Sequence, residues 1–265
     1  MKPNPLRAAL DTGAPALGTL VLLETGATAR VLARCGYDFV VFDTQHAAFD
    51  VTRAESLLNA VRGTGCAALA RVHPGRPDQI EHHLDLGAHG VVVPMVSSAA
   101  DARHATAACR FPPNGRRSVG GMRNLLERDP DYPAHADQDV VCVIQIEEAD
   151  ALDRLDEILA VPGIDAVMPG PVDLARSMGH VIRYGFPVPE AVASVIAEAE
   201  RHIDDRCAAR GIPVIPPTGT REEFSRAVER GHRIICFSSD LHLLQAAATD
   251  HAETCAKALA DRRIG

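Results

Sequence analysis

The chain repeats one pattern, in which a short apolar run is followed by a longer segment with helical spacing. The runs are rich in valine and isoleucine and apolar at nearly every position, which is typical of strands buried on both faces of a parallel sheet. Eight runs occur, at 17–23, 39–42, 67–72, 90–93, 140–146, 164–168, 212–215 and 233–237. Eight strand-plus-helix units predict a closed (β/α)8 barrel rather than an open doubly wound sheet.

The segments between the runs carry apolar residues three to four positions apart, which predicts amphipathic helices. They lie at 28–35, 52–62, 78–86, 99–109, 149–160, 189–209, 221–230 and 241–260. No low-complexity linker interrupts the pattern, and a length of 265 residues is ordinary for one barrel. We therefore expect residues 1–265 to form a single domain.

The composition argues against several classes of partner. The formal net charge is −8 and no basic patch stands out, so a nucleic-acid partner is not expected. No apolar stretch reaches the length of a membrane span, which argues against a membrane partner. The seven cysteines are scattered without a CxxC motif, which favours a cytoplasmic location.

Lysine occurs only near the two ends of the chain, at Lys2 and Lys257. A mechanism that forms a Schiff base with a lysine inside the barrel is therefore almost excluded. A barrel that activates a carbonyl group without such a lysine must use a metal instead.

Two acidic residues follow neighbouring strands of the predicted barrel. Glu147 ends the fifth run and Asp173 follows the sixth, and the C-terminal ends of barrel strands are where the chemistry lies. Two carboxylates this close repel each other unless a proton or a cation lies between them. Hard oxygen ligands suit Mg²⁺ or Mn²⁺. The pair predicts a divalent metal site, with helix capping by Asp173 as the alternative.

A basic residue and a histidine are expected at the same mouth. Arg71 ends the third run, where a buried guanidinium needs an anionic partner. The partner is either an internal acid, Glu24 or Glu147, or a substrate carboxylate or enolate oxygen. His46 follows Asp43 by three residues, and a carboxylate that close can fix the imidazole tautomer and raise its basicity. His46 is thus a candidate acid–base residue, with a surface loop histidine as the alternative.

Several ordered motifs point to a known family over nearly the whole chain. They are 33–43 followed by Gln45-His46, Ala70-Arg71-Val72, 84–88 with 93–96, 111–115, Gln145-Ile146-Glu147, and 161–165 running to 170–174. In these motifs the chain resembles the HpcH/HpaI aldolases, the metal-dependent class II pyruvate aldolases. The resemblance implies a TIM barrel of the phosphoenolpyruvate/pyruvate-binding type.

The resemblance also implies roles for the matching residues. Glu147 and Asp173 would bind a divalent ion, Mg²⁺, Mn²⁺ or Co²⁺, which pyruvate chelates. The metal and Arg71 would stabilise the enolate. His46, oriented by Asp43, would serve the proton transfers.

Further residues of the family pattern concern the substrate and the neighbouring subunit. Substrate binding would involve Gln145 near the metal and the backbone at Gly170, Pro171 and Val172. Asp85 would approach the active site of a neighbouring subunit. Family members are usually hexamers with an exchanged C-terminal helix, so a homo-oligomer, hexamer or trimer, is expected, with 241–260 as the exchanged segment.

The reaction implied is reversible cleavage of a 4-hydroxy-2-oxo acid to pyruvate, or a related 2-oxo acid, and an aldehyde. Oxaloacetate decarboxylation or a citrate-forming condensation would use the same enolate and stays open. A third alternative is a catalytically idle barrel that binds a metabolite, which only Gln45 favours, because the family often has glutamate there. The chain also departs from the family at Pro169 and at 180–187.

Overall fold

The architecture follows from a computed structural model, which describes residues 4–47, 51–120, 131–182 and 188–261. Its strands lie close to the predicted runs, with one exception. They are β1 (Ala16–Val21), β2 (Phe39–Asp43), β3 (Ala67–Arg71), β4 (Gly90–Val93), β5 (Val141–Ile146), β6 (Ala166–Pro169), β7 (Pro217–Thr218) and β8 (Ile234–Ser239).

All eight strands belong to one parallel sheet, in the order β6-β5-β4-β3-β2-β1-β8-β7. An isolated parallel bridge between Val167 in β6 and Val214, just before β7, joins the two ends of that order. The sheet therefore closes on itself, with helices between successive strands. This confirms the predicted (β/α)8 barrel.

The prediction of a seventh strand at 212–215 was wrong, because β7 occupies only the two residues 217–218. Prolines at 213, 216 and 217 supply no backbone N–H, so a continuous ladder cannot form there. The predicted run still contacts β6, since the N–H of Ile215 donates to the carbonyl of Val167 at 2.8 Å.

The helices include three that the periodicity did not reveal, namely the first, sixth and ninth in chain order, and the predicted helix 149–160 is split in two. In chain order, the helices are α1 (Pro5–Thr12), α2 (Gly26–Arg34), α3 (Val51–Val61), α4 (Pro77–Asp85), α5 (Ala99–Cys109), α6 (Tyr132–Asp139), α7 (Ala149–Asp153), α8 (Leu155–Leu159), α9 (Pro171–Ser177), α10 (Glu190–Ala208), α11 (Arg221–Glu229) and α12 (Asp240–Asp261).

The hydrophobic core has two layers, one inside the barrel and one between the strands and the helices. Successive side chains along each strand point alternately into one layer and the other. On β2, Phe39 and Val41 lie inside the barrel, whereas Val40 and Phe42 pack outward against the helices. Helix α1, capped by the side chain of Asn4, places Leu6 in the inner layer. The interior is thus filled with side chains, which leaves the C-terminal ends of the strands as the place for a site.

Within the four described ranges of the chain, we find no helix with the length and apolar character needed to cross a membrane.

Candidate active site

The C-terminal ends of β2 and β3 bring together the first two predicted site residues. Asp43 is the last residue of β2 and Arg71 the last of β3, and the register of the two strands pairs them directly. Arg71 Nε donates to Asp43 Oδ1 at 3.0 Å, and Nη2 donates to Oδ2 at 2.6 Å. The two side chains therefore form a bidentate ion pair, the geometry in which arginine binds a carboxylate most specifically.

This ion pair is almost removed from solvent, since the side chain of Asp43 is 1% exposed and that of Arg71 14%. Burial by itself lowers the pKa of Arg71, but the hydrogen bonds and charge of Asp43 outweigh it, and the pKa lies above the ordinary arginine value. The partner of Arg71 in the chain is thus Asp43, and neither Glu24 nor Glu147 forms the ion pair considered from the sequence.

The carboxylate of Asp43 also organises the turn that carries His46. Its Oδ1 accepts the backbone N–H groups of Gln45 at 3.1 Å and of His46 at 3.3 Å. Asp43 was expected to orient the imidazole ring. Among the described contacts, it fixes the backbone under that ring instead, and the side chain of His46 is exposed.

Glu147 lies directly after β5 and is buried, with 2% of its surface exposed. Its Oε1 accepts the N–H of Met95 at 2.8 Å. The pKa of Glu147 is raised to about 7, mainly by burial, with the charge of Asp173 acting in the same direction and the N–H of Met95 and the charge of Arg71 acting against it. Asp173 and Arg71 therefore both lie within electrostatic reach of Glu147.

Asp173 belongs to the first turn of α9 and is exposed at the mouth. The N-cap of this helix is Gly170, so no side chain caps it. In the described part of the chain, no group of three or more His, Cys, Asp or Glu is arranged to hold a metal. The carboxylates of Glu147 and Asp173 could bind a Mg²⁺-type ion as protein ligands, with water or substrate oxygens in its other positions.

Position 170 must be glycine, because the side chain of Glu147 leaves no room there for a Cβ atom. A Cβ atom at this position would lie 2.5 Å from Glu147 Oε2 and 3.0 Å from Gln145 Nε2. Gln145 is buried, and its Oε1 has no hydrogen-bond partner among the described residues. That oxygen of Gln145 and the carboxylate of Glu147 are hard oxygen donors on two side chains that both lie beside Gly170. The residues present therefore fit a divalent metal ion.

Pro171 and Val172 continue from Gly170 as the first turn of α9, and both are half-buried. This places the predicted substrate-binding backbone next to Glu147 and Gln145.

Asp85 is the one predicted site residue that this chain does not bring to the mouth. It ends α4, the helix that returns the chain to the start of β4, so it lies at the opposite end of the barrel. Its Oδ1 accepts from Arg117 Nη2 at 2.8 Å, and the side chain of Arg117 is fully buried. Arg117 lies between the rings of Phe111 and Tyr132, at 4.6 and 5.5 Å from their centroids. The carboxylate of Asp85 is therefore held in a fixed position on the outer surface.

Two features at the mouth were missed from the sequence. Met95 and Ser238, after β4 and in β8, have φ angles of 58° and 61°, which non-glycine residues rarely adopt. Pro94 is a sequence signal for the end of β4, because proline has no N–H for the strand ladder, but it does not predict the left-handed conformation of Met95. We find no such signal for Ser238.

The chain is similar in sequence to a known protein family. The model of a family described as HpcH/HpaI aldolase/citrate lyase matches residues 17–247. The chain belongs to the HpcH/HpaI aldolase/citrate lyase family. The resemblance predicted from the motifs is thereby confirmed.

The relatives and a solved structure of the HpcH/HpaI family match nearly the whole chain. A 2-dehydro-3,6-dideoxy-6-sulfogluconate aldolase of Pseudomonas putida is 32% identical, covering 88% of this chain and 90% of its own. A 5-keto-4-deoxy-D-glucarate aldolase of Salmonella paratyphi C is 31% identical, covering 96% and 98%. The HpcH/HpaI aldolase of Desulfitobacterium hafniense superposes with a TM-score of 0.85 at 26% identity, covering 94% and 96%.

As a member of this family, the chain is a carbon–carbon lyase of the class II aldolase type, and its aldolase relatives act on small molecules. Class II aldolases of this family typically depend on a divalent metal.

Proposed function

We propose that the chain reversibly cleaves a 4-hydroxy-2-oxo acid to pyruvate, or a related 2-oxo acid, and an aldehyde. The observation that carries this proposal is the buried carboxylate of Glu147 within electrostatic reach of both Asp173 and Arg71. Held by the two acids, Mg²⁺, Mn²⁺ or Co²⁺ would act as a Lewis acid toward the keto group. The substrates in the names of both relatives are keto-deoxy sugar acids, which supports this substrate class.

Arg71 would bind the oxygen on which enolate charge develops. Asp43 occupies its Nε and Nη2, so Nη1 remains to meet the substrate. Because Asp43 holds the guanidinium before substrate arrives, no reorganisation is needed as charge develops, which is how preorganised donors lower a barrier. Gln145 and the backbone at 170–172 would hold the substrate carboxylate beside it.

His46 would exchange protons with the hydroxyl group of the substrate. The turn that carries it is fixed by Asp43, the acid that also binds Arg71. The proton acceptor and the charge-stabilising guanidinium therefore depend on one buried carboxylate. Gln45 beside it is a neutral amide, so it can hydrogen bond to His46 or to a substrate but cannot carry the proton away as an acid.

The direct test is pyruvate release from a panel of 4-hydroxy-2-oxo acids, with Mg²⁺, Mn²⁺ or Co²⁺ and with a chelator. We expect release that disappears with the chelator and returns with the metal. Oxaloacetate in the same assay examines the decarboxylase alternative. Metal-independent release, or none from any hydroxy-oxo acid, would contradict the proposal.

The pKa of Glu147 leads to a prediction about the metal-free protein. Its folded pKa, about 7, lies above the ordinary value of 4.5, so the folded state holds an extra proton between these pH values. The free energy of unfolding therefore falls as pH rises from about 5 to 8, by up to about 3 kcal/mol from this group. Glu147→Gln should remove that loss.

The measurement is urea unfolding of wild type and Glu147→Gln in EDTA at pH 5 and pH 8. Relative to wild type, the variant should gain stability at pH 8 and little at pH 5. An equal difference at both pH values would show that Glu147 keeps an ordinary pKa.

The C-terminal helix supports assembly with further copies of the chain. From residue 244 onward the described side chains of α12 are exposed, including Leu244 at 59% and Leu259 at 68%. In a closed barrel, the helix after β8 lies between α11 and α2, and there Val228 and Val31 are exposed. A homo-oligomer that exchanges α12 would cover both surfaces, and Asp85 would then face a neighbour's mouth.

Charged substitutions in α12 test this assembly. Leu244→Glu and Leu259→Glu together should convert the native oligomer to a species of lower mass, because two exposed leucines would no longer be buried between subunits. Light scattering after size exclusion measures the mass, and Thr249→Glu, on the same exposed helix, serves as the control. An unchanged mass of the double variant would rule out the exchange of α12.

A further inference from the structure

The chain leaves β4 through a turn that points a backbone donor at Glu147. After Pro94, Met95 takes a left-handed conformation with φ 58°, which costs free energy in a residue with a side chain. This turn directs the N–H of Met95 to Glu147 Oε1 at 2.8 Å. The N–H of Val96 then donates to the carbonyl of Gln145 at 3.2 Å. The exit of β4 is thus attached twice to the segment that carries the buried acid.

The second oxygen of Glu147 faces another element. Oε2 lies against Gly170, where a Cβ atom would be 2.5 Å away. The φ angle of Gly170 is −110°, an ordinary value, so glycine is needed here for space and not for its conformational freedom. Gly170 caps α9, whose first turn carries Asp173. Oε1 is therefore held by the backbone, and Oε2 lies beside the helix of the other acid.

We propose that Met95 is a positioning residue that makes Glu147 hold the cation through Oε2 alone. This inference rests on the proposed function, since it assumes that Glu147 and Asp173 bind the metal. The hydrogen bond from Met95 uses one lone pair of Oε1 and fixes the orientation of the carboxylate, which leaves Oε2 as the oxygen with both lone pairs open to a cation. The N–H of Met95 thus limits the carboxylate to one coordination position and leaves more positions for the substrate.

One-oxygen binding has a consequence for the choice of metal. Mg²⁺ and ions of similar size take six ligands in near-ideal octahedral geometry, whereas Ca²⁺ takes six to eight and often binds both oxygens of a carboxylate. A carboxylate that can offer only Oε2 favours the smaller ions. The turn at Met95 therefore selects Mg²⁺ or Mn²⁺ over Ca²⁺ at this site.

Exchange of a single atom tests the proposal. Cell-free translation with the α-hydroxy analogue of methionine at position 95 replaces the N–H by an ester oxygen and keeps the side chain. We expect Mn²⁺ affinity, measured by electron paramagnetic resonance without substrate, to fall about 10- to 100-fold. The preference for Mn²⁺ over Ca²⁺ should narrow. The same ester at Val96, whose N–H does not contact Glu147, is the matched control and should keep both properties.

Ordinary substitutions decide the same point if the ester protein is unstable. Met95→Gly keeps the N–H and adopts positive φ without cost, so it should retain Mn²⁺ affinity. Met95→Val is β-branched and resists this conformation, so it should lose affinity, and Gly170→Ala should lose it by displacing Oε2. Circular dichroism and melting in EDTA establish that each variant is folded.

The outcomes separate the two proposals. If wild type binds no Mn²⁺, both the proposed function and this inference are overturned. If wild type binds Mn²⁺ but the ester at 95, or Met95→Val, binds it equally tightly with the same preference over Ca²⁺, the role of Met95 is overturned and the proposed function stands.

Discussion

Replacement of Glu147 by glutamine should abolish metal-dependent aldol cleavage, with kcat/KM falling by about 10³-fold or more. The amide is nearly the same size and can still accept the N–H of Met95, so the fold should be kept. It cannot supply the negative charge that a divalent ion requires in a buried position. Steady-state pyruvate release at saturating Mn²⁺ measures the loss, and Mn²⁺ titration shows whether binding disappears with it.

The neighbouring acid provides a matched control for this variant. Glu148 lies one residue further along, is half-buried and accepts a hydrogen bond from Ser97 Oγ. Glu148→Gln removes the same charge from almost the same place, and we expect it to retain most of the activity. Full turnover and unchanged Mn²⁺ affinity in Glu147→Gln would refute the assignment of Glu147 as a ligand.

The second large effect is expected for Arg71→Lys, which keeps the positive charge but not the planar pair of N–H groups. Lysine cannot make the bidentate contact with Asp43, so Asp43 would no longer hold the positively charged side chain in a fixed orientation. Loss of one such donor typically lowers kcat by about 10²- to 10³-fold. The exchange of pyruvate methyl protons with solvent deuterium should slow to a similar degree, because it reports enolate formation alone.

Arg76 offers a control with the same contact on the surface. It binds Asp78 through Nε and Nη2 at 2.9 and 2.7 Å, and an exposed pair of this kind contributes little to stability. Arg76→Lys should leave both cleavage and deuterium exchange unchanged. Unchanged deuterium exchange in Arg71→Lys would instead show that the guanidinium does not stabilise the enolate.

The barrel could be predicted from the sequence because its strands are buried on both faces. A strand such as β5 is buried throughout and almost wholly apolar, and so its pattern appears without knowledge of its neighbours. β7 could not be predicted in this way, because its pairing depends on where three prolines remove donors. Helix α1 was not predicted because it has only eight residues after its capping residue Asn4, which is too short for the apolar spacing to stand out.

The positions of the candidate site residues followed from one rule, that barrel strands present their C-terminal ends to the same mouth. That rule placed Asp43, Arg71 and Glu147 at strand ends. It could not supply contacts between strands. The pair Asp43–Arg71 depends on the register of β2 and β3, and the contact between Met95 and Glu147 depends on a left-handed turn. Both are tertiary properties that the local pattern does not encode.

The most direct measurement is the anomalous diffraction of a crystal grown with Mn²⁺ and pyruvate. We expect a single strong peak between a carboxylate oxygen of Glu147 and one of Asp173, with the guanidinium of Arg71 in contact with pyruvate. A crystal that shows the peak elsewhere, or pyruvate bound away from Arg71 with no metal beside Glu147, would contradict the proposed active site.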